Sequence, residues 1–258
     1  MTPLISIIVP AYNSEKYIGD CLNSFIAQTY QNWEAIVIVA PSTDNTINIL
    51  KKYSIESRIK IIQEKTKTNC ATARNIGYNN SSGKYIYFND SDDWIEPDCL
   101  KIMIEKLENN TCLSWCVNYQ VTHLNGEKHI IDLIPGTHHN IGGIGGILFR
   151  RDCLEKIKNK SGHLFDEKLN HTDDADLVLR ARHYPHMLIP MVLSNYRWNT
   201  EGLTANTNWI EQEIGLLKIL IKNNAWDLIP GNIMNFCIVL INETFGIDCV
   251  KIKKETFK

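Results

Sequence analysis

The chain has 258 residues, 44% of them hydrophobic and 22% charged, enough for one large α/β domain with a small appendage or at most two domains. Its 27 basic residues stand against 29 acidic ones, a formal net charge of -2, which argues against nucleic acid as a partner, since such binders carry a basic excess. No uninterrupted apolar stretch is long enough to span a bilayer, and the opening MTPLISIIVPAYN lacks the basic start of a signal peptide, so a cytoplasmic chain is expected.

Leu4 to Val9 is a continuous apolar run, the pattern of a strand buried on both faces of a parallel sheet. A helix is predicted from about Glu15, with Ser14 as its N-cap and Ile18, Cys21, Leu22, Phe25 and Ile26 at helical spacing. Ala35 to Val39 reads as a second strand, followed by a turn at Pro41 and a helix carrying Ile47, Ile49 and Leu50. Ile59 to Ile62 is a third strand, Thr72 to Asn80 a short helix, and Tyr85 to Phe88 a fourth strand ending in Asn89-Asp90-Ser91-Asp92-Asp93-Trp94. Pro97 opens a further helix with Leu100, Met103, Ile104 and Leu107 on one face. This alternation implies a parallel, doubly wound sheet.

After Asn110 the rhythm changes. A strand is predicted from Cys112 to Val121, a mostly loop stretch from His123 to Asn140, a glycine-rich passage from Gly142 to Gly146, a helix from Asp174 to His183 and a strand from Met187 to Leu193. Two amphipathic stretches, Trp209 to Ile221 and Asn232 to Ile241, follow. They have three open placements: against the core, against another copy in a homodimer, or near a membrane. The final KIKKETFK, with four Lys and one Glu, is a solvated end or a peripheral contact with the inner face of a membrane. The eight cysteines include no C-x-x-C pair, and several lie in apolar runs, which reads as reduced thiols in a cytosolic protein.

Ligands of an open parallel sheet bind beyond the carboxyl ends of its strands. No G-x-G-x-x-G follows the first strand and no phosphate-loop motif occurs, which disfavours a dinucleotide dehydrogenase and a P-loop enzyme. Asp90, Asp92 and Asp93 repel one another at a strand end, and a hard divalent cation would neutralise them while also accepting phosphate oxygens; a solvated acidic turn is the plainer reading of that motif alone.

The surrounding segments are more specific. ISIIVPAYNSEKYIGDCLNSFIAQTYQNWEAIVI, STDNT, ATARNIGYNNSSGKYIYFNDSDDWIEPDCL, ILFRRDCLEKI, FDEKL and TDDADLVLRAR together resemble glycosyltransferase family 2, in order and spacing, over roughly residues 4–204. The resemblance implies an α/β GT-A fold, Rossmann-like, with a mainly parallel central sheet flanked by helices over residues 1–205. Residues 1–110 would bind the nucleotide-sugar, 111–205 would form the acceptor and catalytic half, and 206–258 would be a small helical extension.

The activity implied is inverting transfer from a nucleoside-diphosphate sugar, a UDP-sugar first among them, to a glycan, lipid-linked or glycoprotein acceptor in surface polysaccharide or glycoconjugate synthesis. By the same resemblance Asp92 and Asp90 hold Mn2+ or Mg2+, with Asp90 also near the ribose. Pro10, Ala11, Tyr12, Asn13, Asp44, Arg74 and Ser91 join the donor site, and Asp173 and Asp174 form the catalytic pair with Asp174 as base. A helix-capping role is the plainer reading of that pair, and half-exposed packing or a surface arginine the plainer readings of Tyr12 and Arg74.

Two positions depart from the family. Val39 and Ala40 stand where it usually carries two aspartates, one of which contacts uracil, and Asn199 stands where it often carries His. The first departure supports an alternative, a donor-binding or scaffolding subunit without turnover. A nucleotidyltransferase is disfavoured because VPAYNSEKY is not a glycine-rich basic loop.

Overall fold

The structure, a computed structural model, describes residues 2–107, 113–123, 128–132, 144–169, 171–198 and 209–225. The predictions for Gly142, Gly143, Asn199, residues 232–241 and the basic tail lie outside them.

Four strands, β1 (Ile5–Ala11), β2 (Trp33–Val39), β3 (Ile59–Gln63) and β4 (Tyr85–Phe88), run parallel in the order β3-β2-β1-β4. Between them lie α1 (Ile18–Ile26), α2 (Thr46–Tyr53) and α3 (Cys70–Asn79). Beyond β4 the sheet becomes mixed. The short β5 (Trp94–Ile95) and α4 (Cys99–Leu107) lead to β6 (Leu113–His123), β7 (Lys128–Asp132), β8 (Ile147–Arg150) and β9 (His186–Trp198). β8 pairs antiparallel with both β4 and β6, and β6 pairs parallel with β9. α5 (Arg151–Lys156) and α6 (Asp173–Ala181) precede β9, and α7 (Trp209–Lys222) follows it.

The apolar runs divide by strand periodicity. Ile5, Ile7 and Val9 of β1, Ala35 and Val37 of β2, and Tyr85 and Tyr87 of β4 join one core cluster with α1 and α4. Ile8, Ile36, Ile38, Ile86 and Phe88 face the other side, where α3, α5 and α6 pack. Both faces are covered, which is why the sequence shows unbroken hydrophobic runs rather than alternation. Gly77 of α3 lies so close to the sheet that a Cβ there would collide with Ile8 Cγ2 and stand 2.6 Å from Ile38 Cδ1. Gly77→Ala is expected to destabilise the chain by about 1–3 kcal/mol in a denaturant melt, despite alanine's better helix propensity.

Several expectations need correction. The N-cap position of α1 is Tyr17, not Ser14, because the Ser14 hydroxyl turns to Ser91 Oγ (2.7 Å) and the Tyr12 carbonyl. α3 begins earlier than predicted, at Cys70, because the Asn69 side chain accepts the Thr72 N–H at 2.9 Å and caps it. The stretch from His123 to Asn140, expected to be mostly loop, includes the unpredicted five-residue β7, which gains its backbone bonds by pairing with β6. Cys153 is disulfide-bonded rather than a thiol, while Cys21, Cys70 and Cys99 are free. Bonding depends on which sulfurs the fold brings together, which sequence spacing does not reveal. A disulfide at Cys153 differs from the reduced thiols expected of a cytosolic protein. Among the described residues no helix is long and apolar enough to cross a membrane.

Candidate active site

Because β1, β2 and β4 are parallel, the loops that follow them emerge at one edge of the sheet. The chain passes from β1 to β2 and β3 on one side and returns to β4 on the other, so β1 and β4 flank a topological switch point. Pro10 and Ala11 are buried within β1 itself. Asn13 adopts φ 47°, a left-handed conformation that asparagine tolerates. Its Oδ1 accepts the Thr43 N–H at 2.9 Å, and its own N–H donates to Ser42 Oγ at 3.1 Å. Asp44 accepts the N–H groups of Glu15 and Thr46, both at 3.0 Å. Burial pushes the Asp44 carboxyl up, but the bonds from Thr46 and Glu15 outweigh it and hold it below its ordinary range. The first two loops are thus laced together by Asn13 and Asp44, whose side chains are engaged in the lacing.

Tyr12 projects outward, 40% exposed, with the Lys67 ammonium 3.6 Å from its ring centroid. Val39 and Ala40 are buried, and the Ala40 N–H is bonded to the Ala11 carbonyl at 3.0 Å. Gly146, at the end of the glycine-rich passage, gives its N–H to the Tyr87 hydroxyl at 3.0 Å.

The acidic turn after β4 is folded by Asn89, whose amide donates to the carbonyls of Asp90 (2.8 Å) and Asp93 (3.2 Å). The side chain of Asp90 is 47% exposed, whereas Asp93 is buried. Burial, and then the neighbouring Asp92 and Asp90, push the Asp93 carboxyl well above the usual carboxylate range. Asp93 accepts the Arg197 backbone N–H at 2.9 Å. The Arg197 guanidinium lies between the rings of Tyr17 (4.5 Å) and Trp94 (4.7 Å), donates to the Asp92 carbonyl at 3.0 Å and pairs with Asp20 at 3.0 Å. Arg197 therefore ties β9 and α1 to the acidic turn. The sequence assigned Arg197 no role; its signal was a cation two positions before Asn199, where the family often carries His.

A second cation joins the two acidic pairs. Arg74 of α3 is buried and reaches Asp90 at 2.8 Å through Nη2 and Asp173 at 2.6 Å through Nη1. The chain ends of β4 and α6, 83 positions apart in sequence from Asp90 to Asp173, are brought to one guanidinium. Arg74 is thus a bridge between carboxylates rather than a surface helix residue. Asp173 is buried in that pair. Asp174 accepts the Ala175 N–H at 2.7 Å. Burial and then the Asp173 charge raise its carboxyl to about 6, against the opposing pull of Arg74.

Among the described residues no three His, Cys, Asp or Glu side chains are grouped to hold a metal ion unaided. The side chains at the acidic turn are carboxylates, oxygen donors suited to hard Mg2+ or Mn2+, with the remaining coordination left for phosphate and water oxygens. The set fits an ion that arrives with a diphosphate, not a free-standing metal centre.

A protein-family model described as Glycosyl transferase family 2 matches residues 6–165. EpsH of Bacillus subtilis (strain 168), which bears a glycosyltransferase name, is 38% identical over 249 residues, 90% of this chain and 71% of EpsH. Five other curated glycosyltransferases match over only 15% to 51% of their own length, so the chain spans about half or less of each. The crystal structure of S. aureus TarS 1–349 in complex with UDP-GlcNAc superposes with a TM-score of 0.69 at 23% identity, covering 85% of this chain and 66% of that one. Mannosyltransferase PcManGT from Pyrobaculum calidifontis, in complex with GDP-Man and Mn2+, gives a TM-score of 0.61 at 18% identity, covering 90% of this chain and 66% of that one. At these identities the two structures speak for the fold alone.

Proposed function

Because the chain belongs to glycosyl transferase family 2, we propose that it moves a sugar from a nucleoside-diphosphate sugar to a hydroxyl of a glycan or lipid-linked acceptor, with inversion. The observation that carries this reading is the Arg74 bridge, which sets the Asp90–Asp92 turn beside the Asp173–Asp174 pair at the switch point.

In this reading the acceptor oxygen attacks the anomeric carbon as the bond from that carbon to the diphosphate oxygen breaks. The acceptor proton passes to an Asp174 carboxylate oxygen. A carboxyl raised to about 6 is ionised at neutral pH yet more basic than an ordinary aspartate, which suits a general base. Arg74, paired with Asp173, opposes the rise caused by burial and by the Asp173 charge, which keeps Asp174 ionised at neutral pH. Asp92 and Asp90 would hold Mn2+ or Mg2+, which supplies positive charge against the leaving diphosphate. A GT-A neighbour carrying Mn2+ supports the ion.

Tyr12 offers an exposed ring to the base, and Ser91 lies beside the first loop through Ser14. The buried Val39 and Ala40 offer no side-chain acceptor to a base edge, so the choice among UDP- and GDP-sugars falls to backbone groups and to the neighbourhood of Tyr12. The same feature favours the second reading, a donor-binding subunit without turnover. Residues 1–110 as donor half, 111–205 as acceptor half and 206–258 as extension complete the proposal, together with a peripheral cytoplasmic location.

The test is nucleoside-diphosphate release from a panel of UDP- and GDP-sugars with Mn2+. Release is expected to vanish with EDTA and to fall by about a hundredfold or more in Asp92→Ala. Release indifferent to both changes would refute the ion's role. Donor binding without release, with acceptors supplied, would favour the scaffold.

A further inference from the structure

The first N–H groups of a helix lack intrahelical partners, so its opening turn must be fixed by other contacts. α6 starts at Asp173, and the Thr172 side chain at its N-cap makes no capping bond. Something else must fix the two aspartates that open it. Arg74 of α3 holds Asp173 from one side.

α7 meets α6 on both sides of the pair. Gly215 packs against Thr172, where a Cβ would lie 3.1 Å from Thr172 Cγ2. Seven residues on, two turns along the same face, Lys222 Nζ lies 3.1 Å from Asp176 Oδ1, and Asn223 Nδ2 donates to that oxygen at 3.0 Å. Asp176 is fully buried; Arg180 of its own helix takes its other oxygen, at 2.9 Å through Nη2. Lys222 also pairs with Asp166 at 2.8 Å, outside α6, so its position is fixed from two directions.

Beside these contacts Ala175 and Leu179 of α6 form an apolar cluster with Ile219, Leu220 and Ala225. The end of α7 is set by Asn224 at φ 52°, with the Ala225 N–H bonded to the Leu220 carbonyl at 2.8 Å and the Asn224 N–H to the Ile221 carbonyl at 3.1 Å. That is the Schellman pattern, with Ala225 closing over Leu220, and it places Lys222 and Asn223 in the last turn facing Asp176.

We propose that α7 is a positioning element for the acceptor-side base, with Gly215 at Thr172 and Lys222 with Asn223 at Asp176 clamping the helical turn that carries Asp173 and Asp174. The inference rests on the reading of Asp174 as base. It accounts for a carboxylate buried at Asp176, a residue with no place in the transfer itself: a surface helix docked by apolar contacts alone could slide, whereas a buried charge with one cation on each helix fixes the register.

The experiment measures nucleoside-diphosphate release from UDP-GlcNAc, UDP-Glc and GDP-Man with Mn2+, and compares wild type with Lys222→Met, Lys222→Arg, Gly215→Val and Asp174→Asn. Lys222→Met and Gly215→Val are each expected to lower kcat about tenfold or more, with the donor KM within about twofold, since a small misplacement of a reacting group costs rate rather than binding. Lys222→Arg keeps the cation and is expected to recover most of the rate. Unchanged kcat in both Lys222→Met and Gly215→Val would overturn the inference, as would kcat and KM worsening together in step with a lowered melting temperature. Should Lys222→Met fail to fold, Gly215→Val decides from the other contact. Asp174→Asn separates the two layers. If it is inactive while the α7 variants are normal, only the clamp fails; if it turns over like wild type, the base assignment fails, and the clamp with it. Absence of release by wild type with all three donors, and with glycan and lipid-linked acceptors supplied in every arm, counts against both.

Discussion

Asp174→Asn is expected to lower sugar transfer by about a thousandfold while leaving donor affinity within a few-fold. The substitution keeps the shape and the oxygen that accepts the Ala175 N–H, but removes the site that takes the acceptor proton, a loss of about 10²–10⁴ for a general base. In wild type the rate should fall on acidification below about 6, roughly tenfold per pH unit, as the carboxyl is protonated. Stability should move the other way. The folded chain binds this proton more tightly than the unfolded one, whose carboxyl titrates near the ordinary 3.8. The contribution is therefore fully present below that value and lost as pH rises through about 6. Asp174→Asn, uncharged throughout, should escape that loss and melt no lower than wild type at neutral pH. A large loss of nucleotide binding in this variant would instead move Asp174 into the donor site.

Arg74→Met is expected to be the most damaging single change in the site. It leaves Asp173, 4% exposed at its side chain, without its cation, and removes the partner of Asp90. Removing one member of a buried pair costs about 3–5 kcal/mol, because the other charge remains buried and uncompensated. Arg74→Lys should rescue only part of this, since an ammonium cannot span two carboxylates as the planar guanidinium does. Activity should fall with a signature of its own. Arg74 pulls the Asp174 carboxyl down, so its loss should move the acid limb of the rate profile above 6. Chemical denaturation and a pH–rate series on the folded fraction check the two effects separately. A normal melt with an unmoved acid limb would mean that the bridge is dispensable.

The parts of the fold that were legible in sequence are those written in local patterns. β1, β2 and β4 declare themselves as apolar runs, since both faces are covered, and the turn after β4 declares itself as a run of mutually repelling carboxylates. Asp173 and Asp174 stood out through the resemblance of TDDADLVLRAR to the family, with a helix-capping role as the plainer reading. What stayed hidden depends on long-range geometry. Nothing near Arg74 says that its two nitrogens face carboxylates 16 and 99 residues away, and nothing near Arg197 says that it lies between Tyr17 and Trp94. Ser14 looked like a cap because serine caps helices, but its hydroxyl had a better partner across the loop in Ser91. β7 was invisible because its pattern is short and its stability comes from β6. The state of Cys153 likewise depends on which sulfur the fold brings to it.

The most direct measurement of the central claim is a crystal structure with Mn2+ and UDP or GDP bound. The account predicts that a divalent ion would be held by Asp92 and Asp90 beside the diphosphate, with Asp174 on the acceptor side. A nucleotide seated at the switch point with Asp90 and Asp92 turned to solvent, and no ion between them and the phosphates, would contradict it.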